Sequence, residues 1–332
     1  MKLFQYFLTA FSVFTSATYP VALSQGVALS QEEPAIHHGH IAEINSYHNR
    51  TWTAGSNDFL LNKSVSDVEN ICGTILRSER TEESYIENVK RYTSYDTIPD
   101  EFDSRNKWPQ YIHPIRNQKR CGSCWAFSAA EVLSDRFTIA TSGTVDVVLS
   151  PQDLVSCDQN DMGCMGGQLF SAWKYMVRSG LVTDACFPYT SGNGDATACR
   201  TTCSDTETFV KSKHRAKNYY TLRTVEDIQM DILRHGPVQA AFRVYKSFMS
   251  YKSGVYQRNW WAFWDRMLGG HAVKIVGWGT SQKNNKNVDY WLVANSWDTT
   301  WGEDGYFKIV RGKNECGIES NVYAGLANVA EL

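Results

Sequence analysis

The chain turns on the run Gln118-Lys119-Arg120-Cys121-Gly122-Ser123-Cys124-Trp125-Ala126-Phe127, where polar, glycine-bearing sequence gives way to apolar residues. After Cys124, the residues Trp125, Ala129, Val132, Leu133 and Phe137 recur at roughly helical spacing. The run therefore predicts a loop feeding a helix with one face suited to burial. Cys124 then stands at the helix start, where free backbone N–H groups and the positive end of the helix dipole gather. Both favour the thiolate over the thiol, and the thiolate is the reactive form of cysteine.

The 332 residues suffice for one large domain or two packed halves. A net charge of −2 gives no argument for nucleic acid or an anionic membrane surface as partner. Nine cysteines, an odd number, imply disulfides plus at least one free thiol. Met1 to about Ala22 reads as a secretory signal peptide, with Lys2 ahead of an apolar run and small residues Ser16, Ala17 and Ala22 near its end. That run is interrupted by Gln5, Thr9 and Ser12 and is short for a span, which needs about 20 apolar residues. No stable membrane anchor is expected, and the oxidising route lets disulfides persist. From about Leu23 the chain is polar and irregular. Within it, Asn49-Arg50-Thr51 and Asn62-Lys63-Ser64 fit the N-glycosylation pattern, which places Asn49 and Asn62 as acceptors.

Beyond the Cys124 helix, Leu149–Val155 reads as a short helix with Ser150 as N-cap and Pro151 in its first position. Gly163-Cys164-Met165-Gly166-Gly167 is a turn-rich loop whose glycines let another backbone approach closely. Phe170–Arg178 is again helical in pattern. Then the character changes. Pro237–Val244, Ala272–Val276, Asp289–Ala294 and Gly305–Val310 are apolar or alternating and read as strands between glycine turns. The expectation is an α+β protein of two halves, one helical and one a β-barrel-like sheet. Cys124 falls in the first half, His271 and Asn295 in the second, and such a junction is a common place for a cleft.

Three segments carry a family resemblance. Cys121-Gly122-Ser123-Cys124-Trp125 resembles the active-site signature of the papain-like cysteine proteases. Gly269-Gly270-His271-Ala272 sets a histidine before an apolar run, and Asn295-Ser296-Trp297 follows the strand-like Tyr290–Ala294. All three stand in the family's order over most of the chain, and the branch they resemble is cathepsin B. The resemblance implies a papain-like two-lobe fold with the active-site cleft between the lobes, and hydrolysis of peptide bonds. In that chemistry Cys124 attacks the carbonyl as a thiolate to form a thioester. His271 protonates the leaving amine and then activates water. Asn295 orients the imidazole, Trp297 shields that bond, and Gln118 with the Cys124 N–H forms an oxyanion hole. No cofactor or metal is called for. The partners implied are peptide and protein substrates and the chain's own propeptide as inhibitor, on a monomer.

The same resemblance implies disulfides Cys121–Cys164, Cys157–Cys199 and Cys186–Cys203, with Cys316 free. His40–Asn45, Thr51–Gly55 and Cys72-Gly73-Thr74 resemble the short propeptide of cathepsin B. Such a segment crosses the cleft in an unproductive direction, and Cys72 lies near the cleft without a required partner. The expected division is therefore a signal peptide over 1–22, a propeptide over 23–97 and a mature peptidase domain over 98–332. Lys90–Tyr95 would be an exposed cleavage zone. The expected compartment is the secretory pathway, ending in a lysosome-like or vacuolar organelle or outside the cell.

Substrate-binding positions follow from the resemblance as well. Gly166 and Gly167 would approach the substrate backbone. Gln168, Leu169, Ala241, Ala272 and Asn321 would line the pocket for the residue two before the scissile bond. Asn321 is neutral where cathepsin B has an acidic residue that accepts arginine, so apolar residues are expected there over basic ones. Phe187–Cys199 is short, without histidine or an internal cysteine pair. Cathepsin B carries there a long occluding loop whose histidine pair binds the substrate's C-terminal carboxylate. An open cleft and mainly endopeptidase action are expected instead. Lys119 and Arg120 replace a glycine and a small residue. Lys119 is strained if that position takes positive φ, and both side chains are expected in solvent. Asn259–Trp264 is an aromatic insertion read as local core. Competing readings are a catalytically silent peptide-binding relative and a carboxydipeptidase. Cys121-x-x-Cys124 alone also fits a redox pair or half a zinc site.

Overall fold

A computed structural model describes residues 32–76, 88–93, 97–204, 208–259, 262–283 and 286–331. The expected signal peptide, parts of the 23–97 segment, and Trp260 and Trp261 of the aromatic insertion lie outside these residues.

The N-terminal segment contributes helices α1 (His38–Ser46) and α2 (Val65–Ile71) and strand β1 (Trp52–Ala54). A short strand β2 (Phe102–Asp103) and helix α3 (Ser104–Lys107) lead into the helical half, formed by α4 (Cys124–Ala140), α5 (Pro151–Cys157) and α6 (Leu169–Arg178). The sheet half follows with β3 (Tyr220–Leu222), α7 (Val225–His235), β4 (Val238–Tyr245), α8 (Lys246–Met249) and β5 (Tyr251–Tyr256). It closes with β6 (Met267–Lys283), β7 (Lys286–Ala294), β8 (Tyr306–Val310) and β9 (Asn321–Ala324).

Local chemistry explains several boundaries. Ser150 Oγ accepts from Asp153 N at 3.1 Å and Pro151 opens α5, as the sequence predicts. Ser64 and Asp67 form a reciprocal capping box that starts α2. The strand order is β1-β5-β8-β7-β6-β4-β9-β3, with β2 paired to β6. The pair β5–β8 is parallel and the other pairs are antiparallel. The sheet is open: β1 and β3, each three residues long, lie at opposite ends of that order. The expected barrel-like half is thus corrected to an open sheet, because closure would need its two edges to meet in register. The N-terminal segment extends this sheet at one edge, where β1 pairs with β5 from Trp52–Gly254 to Ala54–Tyr251.

Helix α4 departs from the one-faced pattern. Every residue from Cys124 to Thr138 is buried, including Glu131, Asp135 and Arg136. These charges fall between the apolar positions of the helix, yet each meets a partner far along the chain. Lys274 Nζ on β6 lies 2.8 Å from Asp135 Oδ2 and 3.8 Å from Glu131 Oε2. His113 Nδ1 also bonds Asp135 Oδ1, at 2.7 Å. Arg136 donates to Asp231 Oδ1 at 2.5 Å and to the carbonyls of Gly236, Pro237 and Gly325. Gln239 on β4 completes the junction, donating through Nε2 to Trp125 O and Ser128 Oγ and accepting from Trp173 Nε1. Buried charges are tolerable only when paired and hydrogen-bonded. Here the pairing clamps the helical half to the sheet.

Replacing Lys274 by methionine keeps the stem but leaves buried Glu131 without its salt-bridge partner and Asp135 with His113 alone. The expected loss of unfolding free energy is about 3–5 kcal/mol, read from the urea midpoint at constant slope. A loss below about 1 kcal/mol would show that the cluster is not a clamp.

Candidate active site

Cys124 is the first residue of α4 and is buried at the junction. His271 lies in β6, and Asn295 follows the end of β7. The lateral pairing of β6 with β7, which sets Lys274 opposite Ala294, brings the last two together. His271 Nε2 donates to Asn295 Oδ1 at 2.7 Å, and Ser296 N donates to the same oxygen at 2.8 Å. With Nε2 committed, Nδ1 is the nitrogen left for chemistry. It makes no hydrogen bond of standard geometry, but the imidazole lies within electrostatic reach of the Cys124 thiol. Burial pushes the thiol pKa up. The charge and hydrogen bonding of His271, a bond from Thr74 and the Ala272 N–H together outweigh burial, so Cys124 is held below the usual thiol range. The indole of Trp297 is fully buried with its centroid 4.8 Å from that of His271.

Gln118 is buried beside this trio. Its Oε1 accepts from Ser296 Oγ at 2.7 Å, and its Nε2 donates to Cys121 O at 2.8 Å and to Ile71 O at 2.9 Å. An amide donor aimed at a backbone carbonyl beside a thiol can also stabilise a carbonyl oxygen that gains negative charge.

The N-terminal segment threads this site. After Ile71, Gly73 crosses the Gly122 backbone so closely that a side chain at 73 would collide with it. Thr74 Oγ1 then lies 3.1 Å from Cys124 Sγ. Thr74 N donates to Gly270 O, Ile75 N to Gly167 O and Gly167 N to Gly73 O, each at 2.9 Å. Leu76 enters a pocket lined by Gln168, Leu169, Phe170, Ala241, Asn321 and Tyr323. Four of the five residues expected there line it, and the fifth, Ala272, pairs in register with Ala241 and has its N–H at the thiol. The motif Cys72-Gly73-Thr74 marked the segment in sequence. Nothing in the pattern marked Ile71 or Leu76, since their partners are read only in three dimensions. Upstream, Phe59 stacks on Trp297 with centroids 6.0 Å apart, and His40 stacks on Trp264 at 3.8 Å. Trp264 also donates to Glu43 Oε2. The aromatic insertion is therefore not simply local core: Phe263 is fully exposed and Trp264 lies under α1.

Beneath the Gly166-Gly167 strip, Asp161 Oδ1 accepts from Gln168 N at 2.9 Å. Asp158 lies within electrostatic reach of Asp161, and the buried Oδ2 of each has no hydrogen-bond partner. Burial, followed by the charge of Asp158, pushes Asp161 up to about 7, and burial raises Asp158 also. Sequence reading passed over this pair.

The structure holds the disulfides Cys121–Cys164, Cys157–Cys199 and Cys186–Cys203, the three that the resemblance implied. Cys72, Cys124 and Cys316 are free. With Cys121 bonded to Cys164, Cys121 and Cys124 are neither an exchanging pair nor half a zinc site. Lys119 has φ 58° and is exposed, as is Arg120. A side chain in that left-handed region costs roughly 1 kcal/mol more than glycine would. Asn49 and Asn62 are both exposed.

Residues 98–326 match the family model described as "Papain family cysteine protease". A curated protein of Caenorhabditis elegans, "Cathepsin B-like cysteine proteinase 4", is 44% identical over 275 residues, covering 74% of this chain and 80% of that protein. "Cathepsin B-like CP2" of Giardia intestinalis is 41% identical over 256 residues, covering 73% of this chain and 81% of that protein. Among solved structures, "proCathepsin B S9 from Trypanosoma congolense" superposes with a TM-score of 0.79 at 35% identity, covering 89% of this chain and all of that one.

The Asp161 carboxyl is raised in the fold, so its stabilising contribution is full below the unfolded value near 3.8 and is lost as pH rises through about 7. Melting temperature should therefore fall between about pH 4 and about pH 7. Asp161→Asn should flatten that fall. An unchanged slope in the variant would contradict the assignment.

Proposed function

The chain belongs to the papain family of cysteine proteases, with cathepsin B-like homologues, and from that premise we propose that it is a cysteine endopeptidase made as a secretory-pathway zymogen. The observation that carries this reading is the strand Gly73–Leu76 lying across Cys124 as a substrate would, but reversed. Its chain direction runs from the Gln118 amide, past the thiol, to the Leu76 pocket. A substrate whose residue two before the scissile bond fills that pocket runs the other way. The reversal leaves Thr74 Oγ1, rather than a carbonyl carbon, against Cys124 Sγ. The segment can thus occupy the site without being cut.

In this reading residues 1–22 are the signal peptide, 23–97 the propeptide and 98–332 the mature domain, and Asn49 and Asn62 carry glycans. Removal of the propeptide frees Cys124 Sγ, the Gln118 amide and the pocket together. The thiolate attacks the scissile carbonyl, and the oxyanion forms between Gln118 Nε2 and the Cys124 N–H. His271, fixed by Asn295, protonates the leaving amine through Nδ1 and then takes a proton from the water that cleaves the thioester. Trp297 keeps bulk water from the His271–Asn295 bond. Gly167 offers its N–H and C=O to the substrate backbone, as it does to Gly73 and Ile75. The acidic lumen of a lysosome-like compartment, or secretion, fits this chemistry.

The open cleft rests on Phe187–Cys199. This segment folds back on Gln152, which accepts from Thr190 N and Ser191 N and donates to Ser191 Oγ and Thr197 Oγ1. It presents no histidine to a terminal carboxylate.

Acid-activated enzyme is expected to cut one peptide internally whether its C-terminus is free or amidated, with Cys124→Ala inert. Release of dipeptides from the free form alone would replace the endopeptidase reading by a carboxydipeptidase. Among matched substrates, phenylalanine two residues before the bond should exceed arginine by about tenfold in kcat/KM, since Asn321 gives a buried guanidinium no counter-charge. Equal turnover would contradict the pocket assignment.

A further inference from the structure

Cys124 has the Leu76 pocket on one side. On the other lies an open groove of about 600 Å³. Lys119, Arg120, Asn117, Gly192, Asn193, Asp298 and Thr300 form its lasting walls, while Asp58, Phe59 and Lys63 come from the N-terminal segment. If that segment is a removable propeptide, the groove opens to whatever follows the scissile bond. We propose that Lys119 and Arg120 form a carboxylate-selective subsite on this leaving-group side. It would take an acidic side chain one or two residues after the scissile bond, or the substrate's own C-terminal carboxylate. The inference rests on the peptidase reading above and deepens it.

Three observations carry it. First, the two cations are unspent. Among the described residues neither Lys119 nor Arg120 has an ion-pair partner. The one acid on the groove's lasting walls, Asp298, accepts from Asn117 Nδ2 at 2.8 Å, and Asp195, outside the groove, accepts from Asn193 Nδ2 at 3.0 Å. Lys63, within electrostatic reach of Arg120, would leave with the propeptide.

Second, the cations are placed and not merely exposed. Lys119 directly follows Gln118, whose amide donates to Cys121 O and Ile71 O. Its backbone N–H is held by Asn117 Oδ1 at 2.7 Å. Its stem lies on Gly192 so closely that a β-carbon there would come within 2.5 Å of Lys119 Cδ. Arg120 N donates to Gly192 O at 3.1 Å, and Tyr189 OH donates to Gln118 O at 2.9 Å. The short segment Phe187–Cys199, which carries no histidine, is therefore latched to the cation pair and forms one wall with it.

Third, Lys119 keeps a side chain at φ 58°, where glycine would be unstrained. Backbone strain retained beside a candidate site points to use of the side chain.

The test uses the acid-activated full-length enzyme and internally quenched peptides of one sequence. These differ by Glu, Gln or Lys at the first or second position after the scissile bond, all amidated. A fourth peptide carries Gln and ends there in a free carboxylate. Active sites are titrated, so that only folded enzyme is counted. The wild type should favour Glu over Gln in kcat/KM by about three- to tenfold, and the preference should shrink with salt. In Lys119→Gln, Arg120→Gln and the double variant the ratio should fall toward one. Preference for the free-carboxylate peptide over its amidated twin, lost in the same variants, would assign the terminal carboxylate as the ligand. A wild-type ratio near one for both comparisons, or a preference that survives the double variant, would overturn the subsite while leaving the peptidase reading in place. Failure to cut any of the peptides, including the neutral one, would overturn both.

Discussion

The structure depends on a clamp between α4 and β6. Cys124 is the first residue of one and His271 belongs to the other, and a thiol and an imidazole on separate halves keep their distance only if the halves do not slide. Apolar packing is poorly suited to that task, because it is non-directional. The buried ion pairs of Asp135 with Lys274 and of Arg136 with Asp231 are directional. So are the Gln239 bonds to the α4 backbone. Lys274 is three residues beyond His271 on the same strand, so whatever fixes its ammonium on α4 also fixes the register of the imidazole. A displaced register would leave buried charges unpaired, which costs several kcal/mol. The polar junction thereby restricts the number of arrangements the two halves can adopt.

The same geometry explains how one short segment can occupy the site. Ile71, Thr74 and Leu76 reach the Gln118 amide, the Cys124 thiol and the apolar pocket in turn. They arrive as one continuous stretch, from the last residue of α2 onward, anchored on both flanks. Upstream, α1 and Phe59 rest on Trp264 and Trp297. Downstream, Lys90 and Tyr92 bond Asp231, the carboxylate that also holds Arg136. The segment is thus tied to the clamp itself.

Much of this was legible in sequence, and the omissions have physical causes. Periodicity and capping residues are local, so α5 with its Ser150 cap, α6 and the strands around His271 and Asn295 stand where the pattern put them. The three disulfides came from family resemblance, not from spacing. Burial all round α4 was not legible: Glu131, Asp135 and Arg136 fall between its apolar positions until partners more than ninety residues away arrive. Sheet closure is likewise global, and an open sheet and a barrel share the same alternating strands. Trp264 read as core because its aromatic neighbours suggested it, while its partner is a helix more than two hundred residues earlier. The Asp158–Asp161 pair was missed because acidic residues in a glycine-rich loop ordinarily read as solvated.

In the proposed function this junction makes Cys124 the nucleophile of a covalent reaction. The direct measurement is rapid quenching of the acid-activated enzyme with a slowly deacylating peptide ester, followed by mass mapping of the chain. The account predicts one acyl group per chain, on the fragment containing Cys124, and its disappearance in His271→Ala. An acyl group on Cys72 or Cys316, or no adduct while the ester is consumed, would contradict it.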